Sequence, residues 1–274
     1  MAYRHFDRYA FPSGEAMYKG LEIDPARPLI ILDSDSIVYP TAFLAASKGW
    51  SCNETLCAVG ASWNNKLALA IKIAGEEAQV VQFFTMPGSP KYRDQFLNKV
   101  KYKENRKRST VTPAWVPEIQ NELITFSNSV FCEPALGEAD DFISILAHHH
   151  NSIIIGGPFI YVVGEDKDLD TIPCNRIDKN GLRFFDKEMA EHNFYKQVLM
   201  GDSADNVKGL PGIGARKANY ILDGHWGTEA YERVLKAYLE AHNYDEEEAC
   251  AYLYETANLL YLRKDFDDYW NPPV

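Results

Sequence analysis

The sequence predicts an α/β fold built around a mainly parallel β-sheet. Short apolar runs of strand length alternate along the chain with segments whose apolar residues recur at helical spacing. Acidic residues follow several of the predicted strands, and sites in parallel sheets form at the carboxyl ends of strands. With 46% hydrophobic residues in 274, the chain can build a real core in one large domain or two modest ones.

The predicted elements follow one another from residue 28 onward. Apolar runs predict strands at 28–32, 67–73, 80–84, 129–132 and 159–163. Helical spacing predicts helices at 41–47, 116–126, from about 137, at 229–239 and at 246–262. Residues 265–273 have the composition of an acidic, proline-terminated tail. This order of strands and helices is typical of an α/β chain.

Composition limits the class of protein. The longest apolar stretch, 153–163, is interrupted by glycine and proline and is shorter than the roughly 18 residues of a membrane span. No apolar signal core is found near residue 1, so we expect no membrane partner and a cytoplasmic location. The five cysteines are scattered without a Cys-x-x-Cys pair, which argues against a disulfide framework or zinc knuckle and predicts core packing.

Charge is concentrated rather than evenly spread. The net charge is −11, yet residues 91–108 hold eight bases and two acids, so this segment carries +6 and the remainder −17. Such a segment can bind a polyanion, although a solvated charged helix gives the same pattern. The consecutive residues His148, His149 and His150 would point in three directions from a helix and cannot share one ion. We interpret them as partial positive charge at a helix C-terminus.

Four groups of acidic residues stand after predicted strands or at helix starts. They are Asp33 and Asp35; Glu138, Asp140 and Asp141; Asp166 and Asp168; and Asp202 and Asp205. Acids in a first helical turn also favour the helix dipole, which is a structural alternative for the second group. Two hard divalent cations about 4 Å apart need oxygen ligands, and such a pair can promote phosphodiester hydrolysis. The four groups therefore predict a metal site.

The segment 201–218 joins the last acidic group to a glycine hairpin. Asp202 and Asp205 come shortly before Gly212 and Gly214, where backbone amides could hold a nucleic-acid phosphate. Carboxylates repel phosphate, so the pairing makes sense only with a cation between them. The segment therefore predicts metal-dependent chemistry on a phosphodiester backbone.

Three motifs in fixed order resemble the flap endonuclease and 5'-3' exonuclease family, in particular phage 5'-exonucleases and the 5'-nuclease domains of bacterial DNA polymerases. They are Gly-Glu-Ala-Asp-Asp at 137–141, Val-Gly-Glu-Asp-Lys-Asp-Leu at 163–169, and Gly-Asp-Ser-Ala-Asp-Asn at 201–206 with the hairpin behind it. The likeness runs from about Leu29 to Ala218. It implies a PIN-like 5'-nuclease fold with a helical arch at 91–112 and a helix-three-turn-helix. It also implies two-metal hydrolysis of DNA from 5' ends, with RNase H-like action on hybrids.

The resemblance assigns roles to individual residues. Around the first metal it implies Asp33, Glu138, Asp140 and Asp141, and around the second Asp166, Asp168, Asp202 and Asp205. The ions are expected to be Mg²⁺, with Mn²⁺ as a substitute. In the arch, Lys103 and Arg106 are the candidates for stabilising charge in the transition state.

The resemblance also implies how DNA is held. The hairpin amides and a K⁺ ion would grip duplex phosphates. The expected DNA-contacting residues are Tyr102, Lys107, Lys208, Gly212, Gly214, Arg216 and Lys217. The expected partner is DNA with a duplex portion and a 5' end or flap, or an RNA–DNA hybrid, bound by a monomer that serves phage or bacterial DNA replication. Residues 1–195 would form the nuclease core, 196–240 the DNA-binding region, and 241–274 a C-terminal helix and tail on the core.

One departure from the family pattern and two rival classes stand beside this interpretation. The family has an acid after its second strand, whereas residues 83–93 contain none, and Asp35 is the candidate to replace it. The residues around Asp33 also resemble haloacid dehalogenase-like phosphatases, in which Asp33 would become an aspartyl-phosphate and Asp35 would act as the acid. A PIN-type ribonuclease would share the acids but would usually lack the glycine hairpin and the arch.

Overall fold

The computed structural model describes residues 13–85, 92–97, 102–104, 115–123, 128–132, 136–153 and 160–273. Half of the basic segment 91–108 lies outside the described residues, and with it the predicted contacts Arg106 and Lys107.

Within this part of the chain, a six-stranded sheet and a two-stranded hairpin are combined with helices. The sheet strands are β1 (Leu29–Asp33), β2 (Gln79–Thr85), β3 (Asn128–Cys132), β4 (Ile160–Val163), β5 (Cys174–Asp178) and β6 (Gly181–Phe185), and the hairpin strands are β7 (Gly201–Asp202) and β8 (Val207–Lys208). The helices are α1 (Gly14–Gly20), α2 (Asp35–Lys48), α3 (Cys52–Ala74), α4 (Val116–Leu123), α5 (Ala139–Ile153), α6 (Lys187–Met200), α7 (Ala215–Leu222), α8 (Gly227–Ala241) and α9 (Glu246–Leu260). None of the described helices has the length and apolar character needed to cross a bilayer.

The sheet has the strand order β3-β2-β1-β4-β5-β6. Strands β1 to β5 are parallel, and β6 runs antiparallel to β5. All five residues of the central strand β1 are buried, since helices cover both faces of the sheet. That burial explains why β1 has a continuous apolar sequence up to Asp33. The predicted α/β class with a mainly parallel sheet is confirmed.

Alternate residues of β1 belong to different halves of the core. Leu29 and Ile31 pack in a cluster with residues of α1 and α5, whereas Ile30 and Leu32 pack with residues of α2, α3 and α4 such as Trp63. Helices α6 to α9 enclose a third apolar cluster, which includes Trp270 near the C-terminus. This third cluster supports the β7–β8 hairpin beside the sheet.

The predicted strand at 67–73 is wrong, because these residues lie inside α3. Ser51 and Glu54 form a capping box at the start of this helix, and Gly75, with φ of +104°, ends it. The alternating leucines and alanines imitate a strand pattern, yet both residue types favour helices intrinsically. The helix therefore continues from its cap at Ser51, through Gly60, to Gly75.

The expectation of core packing holds for only some cysteines. Cys132 and Cys174 are buried, but Cys57 and Cys250 are exposed on helices. All five are free thiols.

The histidines near the end of α5 do not carry the positive charge that we expected. Burial lowers the pKa of both His148 and His150 to about 4. The Nδ1 atom of His150 lies 2.8 Å from the hydroxyl of Tyr18, which belongs to the packed helix α1. These two histidines are therefore neutral parts of the core at neutral pH.

Candidate metal and nucleic-acid site

The first acidic pair lies where β1 passes into α2. Asp33 is the last residue of β1 and is only 7% exposed. Its Oδ1 atom accepts a hydrogen bond from the backbone N–H of Ser36 at 3.3 Å. Burial, followed by the charges of Asp35 and Asp166, raises the pKa of Asp33 to about 7. The raised pKa favours the neutral, protonated form of this carboxyl group unless a cation balances the negative charge.

Asp35, the first residue of α2, reaches across to the end of β2. Its Oδ2 atom accepts a hydrogen bond from the backbone N–H of Thr85 at 2.7 Å, and its Oδ1 atom accepts one from Gln120 at 3.3 Å. Burial is the main cause that raises the pKa of Asp35 to about 6. A carboxylate therefore stands at the carboxyl end of β2, although β2 and the residues after it supply no acid.

The acids at the start of α5 have different surroundings. Asp140 is half-buried, and desolvation of its carboxyl group together with the charges of Asp141 and Glu138 raises its pKa well above the usual range. Burial alone would raise the pKa of Glu138 as well, but Lys103 and Arg93 outweigh it and hold that pKa below its usual value. The nearby cations therefore outweigh burial at Glu138 but not at Asp140.

Asp141 is already satisfied by other partners. It is fully buried, and its two oxygens lie 3.2 Å from the two terminal nitrogens of the Arg93 guanidinium. The hydroxyl of Tyr92 donates to it at 2.9 Å, and the backbone N–H of Glu138 donates at 3.0 Å. These donors engage both carboxylate oxygens, so Asp141 is part of a buried ion pair with Arg93.

The remaining acids converge beside the β7–β8 hairpin. Asp168 lies in the 3₁₀ turn Lys167–Thr171 after β4, Asp202 in β7 and Asp205 in the loop of the hairpin. Ligand oxygens of these three lie within 4.8 Å of one another. Burial and the charges of Asp166 and Asp202 raise the pKa of Asp168 to about 7. Three carboxylate side chains with ligand oxygens this close together are a donor set that fits a divalent cation.

Two glycines allow the hairpin to form. Gly201 has φ of +70°, and a Cβ atom there would lie 2.1 Å from the backbone nitrogen of Gly209. A Cβ on Gly209 would lie 2.1 Å from the carbonyl carbon of Met200. The two backbone segments therefore approach as closely as glycine permits, and this approach fixes Asp202 opposite Asp168.

Tyr102 and Lys103 join the acids of α5 to the acids of the hairpin. The Tyr102 hydroxyl lies 3.0 Å from carboxylate oxygens of both Glu138 and Asp205. The Lys103 ammonium forms an ion pair with Glu138 and lies 3.6 Å from Asp205. The backbone N–H of Lys103 also donates to the carbonyl of Asp205 at 2.8 Å, and its φ is +57°. This left-handed backbone turns the lysine into the acid site.

The glycine hairpin lies next to β8 and leads into α7. Gly212 has φ of +71°, and Gly214 is the N-cap residue of α7. Both glycines have open space where a side chain would be, so their backbone is accessible. The neighbouring cations Lys208, Arg216 and Lys217 are all exposed. The geometry can therefore present amides and positive charge to a phosphate backbone.

The chain was compared with known proteins by sequence and by structure. No protein-family model matches it. The 5'-3' exonuclease of Buchnera aphidicola subsp. Schizaphis graminum is 33% identical over 96 residues, which are 31% of this chain and 32% of that protein. DNA polymerase I of Pseudomonas aeruginosa is 27% identical over 220 residues, which are 73% of this chain and 22% of that protein. The chain thus matches about a third or less of either curated relative.

Solved structures from bacteriophage T5 share the fold. The T5 5'-exonuclease with zinc bound has a TM-score of 0.59 and 17% identity, over 85% of this chain and 90% of that one. The T5 D15 flap endonuclease in complex with DNA and metal ions has a TM-score of 0.57 and 16% identity, over 84% and 89%. The resemblance to the flap endonuclease and 5'-3' exonuclease family is confirmed. The PIN-like 5'-nuclease fold is confirmed with it.

Three residues that support the acid site were not predicted from the sequence. Arg93 was counted as surface charge in the basic segment, but it is 1% exposed and pairs with Glu138 and Asp141. Gln197 donates from its side-chain amide to Asp168 at 3.0 Å. The Lys167 ammonium lies 3.1 Å from Asp202. Only Lys167 carries a sequence signal, since it stands between two predicted ligands.

Proposed function

We propose that the chain is a divalent-metal-dependent nuclease that hydrolyses DNA phosphodiester bonds from 5' ends, as a 5'-3' exonuclease and flap endonuclease. The observation that carries the proposal is the convergence of Asp168, Asp202 and Asp205 within 4.8 Å, directly beside an accessible glycine hairpin. Acids and a phosphate-binding surface are compatible only when cations mediate between them. The confirmed family resemblance supports the same activity, whereas the phosphatase alternative leaves the hairpin without a role.

Two groups of residues would hold the metals. Asp168, Asp202 and Asp205, with Asp166 beside them, fit one Mg²⁺, and Mn²⁺ would substitute for it. Asp33, Glu138 and Asp140 would hold the other. Bound ions would supply activation of the attacking water and stabilisation of the leaving oxygen. We assign Asp141 the task of positioning α5 through Arg93, since its oxygens are engaged by other donors.

Asp35 would replace the acid that the family has after its second strand. The bond from the Thr85 backbone to Asp35 holds its carboxylate at that strand end, and burial keeps it uncompensated in the protein alone. A ligand supplied by the start of α2 instead of the end of β2 would occupy the same edge of the sheet. The first metal group would then be complete without an acid at position 85.

Lys103 would stabilise negative charge on the reacting phosphate. Its ammonium is buried among Glu138 and Asp205, which are ligand candidates for different ions. The ammonium would contact a phosphate bound at the acid site, and Arg106 would assist. Neither residue would transfer a proton.

The glycine hairpin around Gly212 and Gly214 would hold duplex DNA at a fixed distance from the metals. Amides at Gly212 and Gly214, a K⁺ ion and the cations Lys208, Arg216 and Lys217 would bind phosphates, with Tyr102 and Lys107 at the arch. The glycine hairpin follows Asp205 by only a few residues in the chain. Those intervening residues would set the distance between the bound duplex and the cleaved bond. We extend the proposal to RNA in hybrids, to a monomer, and to a role in DNA replication in the cytoplasm.

A substrate panel tests the proposed activity. Wild-type protein with Mg²⁺ is incubated with a 5'-labelled flap, a nicked duplex and a blunt duplex, each prepared also with a 3' label. We expect cleavage near the 5' end of the flap and the nick, with the blunt duplex cut more slowly. Cleavage that starts from 3' ends, or none on any of the three DNAs, would refute the proposal.

A further inference from the structure

Lys167 is placed unlike the other lysine of the acid site. It is the residue between Asp166 and Asp168, and its ammonium lies 3.1 Å from an Asp202 oxygen. Its side chain is nevertheless 59% exposed, whereas that of Lys103 is 15% exposed. Lys167 therefore approaches the three close carboxylates from the solvent side, the side from which a substrate would arrive.

The ion pair between Lys167 and Asp202 uses the same carboxylate that a metal would need. Asp202 has one oxygen bonded to the backbone N–H of Ala204 at 2.8 Å, and the other faces Lys167. A divalent cation among Asp168, Asp202 and Asp205 would take an oxygen of Asp202 and repel the ammonium. Lysine has a long flexible stem, so the ammonium can leave Asp202 without any change in the backbone.

The backbone keeps Lys167 close to the metal after such a displacement. The 3₁₀ turn Lys167–Thr171 is fixed at its start by the Asp166 side chain, which accepts from the backbone N–H of Asp168 at 3.0 Å. The turn is also fixed through Asp168, which accepts from Gln197 of α6. The displaced ammonium would thus stay on the solvent side of the site, where it could contact a phosphate that the metals bind.

We infer that Lys167 is a further catalytic residue, which pairs with Asp202 in the metal-free protein and contacts the reacting phosphate once a divalent cation takes Asp202. The inference rests on the proposed nuclease function. Lys167 supplies positive charge only, so no proton or covalent bond is exchanged. Its partner acid, Asp202, differs from the partners of Lys103, which are Glu138 and Asp205.

The inference is tested with Lys167→Met and Lys167→Arg, with Lys19→Met as the matched control. Lys19 is also an exposed, ion-paired lysine, 73% exposed beside Glu15 on α1, so its loss removes the same charge away from the site. The first measurement is a Mg²⁺ titration of the DNA-free protein, in which the melting temperature reports binding. We expect Lys167→Met to lower the half-saturating Mg²⁺ concentration about threefold or more, because a competing cation is gone.

The second measurement is the rate of flap cleavage at saturating Mg²⁺ and DNA, together with DNA affinity in Ca²⁺. We expect Lys167→Met to lower the rate about tenfold or more with affinity changed less than about twofold, and Lys167→Arg to restore most of the rate. A rate equal to that of Lys19→Met, equal losses in rate and affinity, or an unchanged Mg²⁺ titration would each overturn the inference. If wild type cuts no DNA, the proposed function fails, while the Mg²⁺ titration still reports on Lys167.

Discussion

At the scale of single residues, the site is governed by acids that burial has pushed towards neutrality. The pKa of Asp33 and of Asp168 is raised to about 7 and that of Asp35 to about 6, with burial as the largest cause in each. A raised carboxyl pKa means that the folded protein binds protons more tightly than the unfolded chain. Its stabilising contribution is complete below about pH 4 and is lost as pH rises through 6 to 7.

This sign predicts how stabilisation by Mg²⁺ depends on pH. At pH 8 the acids are ionised and repel one another until a cation binds, whereas at pH 5.5 protons compete for the same oxygens. We expect Mg²⁺ to raise the melting temperature more at pH 8 than at pH 5.5, measured against a chelator control at each pH. His148 and His150 titrate in the opposite sense but contribute equally with and without Mg²⁺, so the difference isolates the acids. A larger shift at pH 5.5 would be inconsistent with a carboxylate metal site.

The positions of the acids along the strands and helices could be predicted from the sequence. Which of their negative charges are balanced by neighbouring donors could not. Strand ends and helix starts can be recognised from local patterns, so all four acidic groups were found. Compensation depends on contacts between distant residues, such as Arg93 with Asp141 or Gln197 with Asp168. A local pattern carries no information about such contacts, and for that reason Arg93 was misjudged as a surface charge.

At the scale of elements, the short hairpin of β7 and β8 decides whether the acid site forms. The approach of Gly201 to Gly209 leaves no room for a Cβ atom on either residue. The motif around Asp202 was recognisable in the sequence, but the need for glycine at 209 appears only when both hairpin ends are seen together. The wrongly predicted strand at 67–73 has a different cause. Its local alternation of residues lies inside a helix whose N-cap, Ser51, stands sixteen residues before Leu67.

Substituting Gly209 by alanine tests the role of the hairpin. The new Cβ would meet the backbone of Met200 at 2.1 Å, so the hairpin must shift and carry Asp202 and Asp205 with it. We expect Gly209→Ala to lose at least about 3 kcal/mol of unfolding free energy in urea and most Mg²⁺-dependent cleavage. The control Gly60→Ala, in open space within α3, should be neutral or stabilise by up to about 1 kcal/mol. Equal stability of the two variants would contradict the close approach.

At the scale of the whole molecule, Arg93 connects the C-terminal helix to the acid site. Its Nε atom donates to the carbonyl of Leu259 at the end of α9, while its terminal nitrogens bind Asp141 and Glu138 at the start of α5. The order of strands and helices was predictable from periodicity. This connection between residues 166 positions apart was not, because it depends on how the chain returns to the sheet.

A double-mutant cycle measures this connection. Arg93→Met leaves the buried carboxylate of Asp141 with only the more distant Arg263, 3.8 Å away, as a counter-charge, and we expect a loss of about 3 kcal/mol of unfolding free energy. Combining it with Asp141→Asn should cost clearly less than the sum of the two single changes. Lys236→Met is the control, since Lys236 is 64% exposed in its ion pair with Glu240 and should contribute less than about 1 kcal/mol. Additive losses at Arg93 and Asp141 would show that the two are not coupled.

We expect the acids of four chain segments to hold the cations with which this protein cuts DNA at its 5' end, while the glycine hairpin binds the duplex. The most direct measurement is single-turnover cleavage of a 5'-labelled flap by wild type, by Asp202→Asn and by the exposed-acid control Asp267→Asn, each with Mg²⁺ and with chelator. We predict cleavage by wild type and Asp267→Asn with Mg²⁺, none with chelator, and a rate at least about a hundredfold lower for Asp202→Asn. Equal cleavage by Asp202→Asn, or by the chelated wild type, would contradict the account.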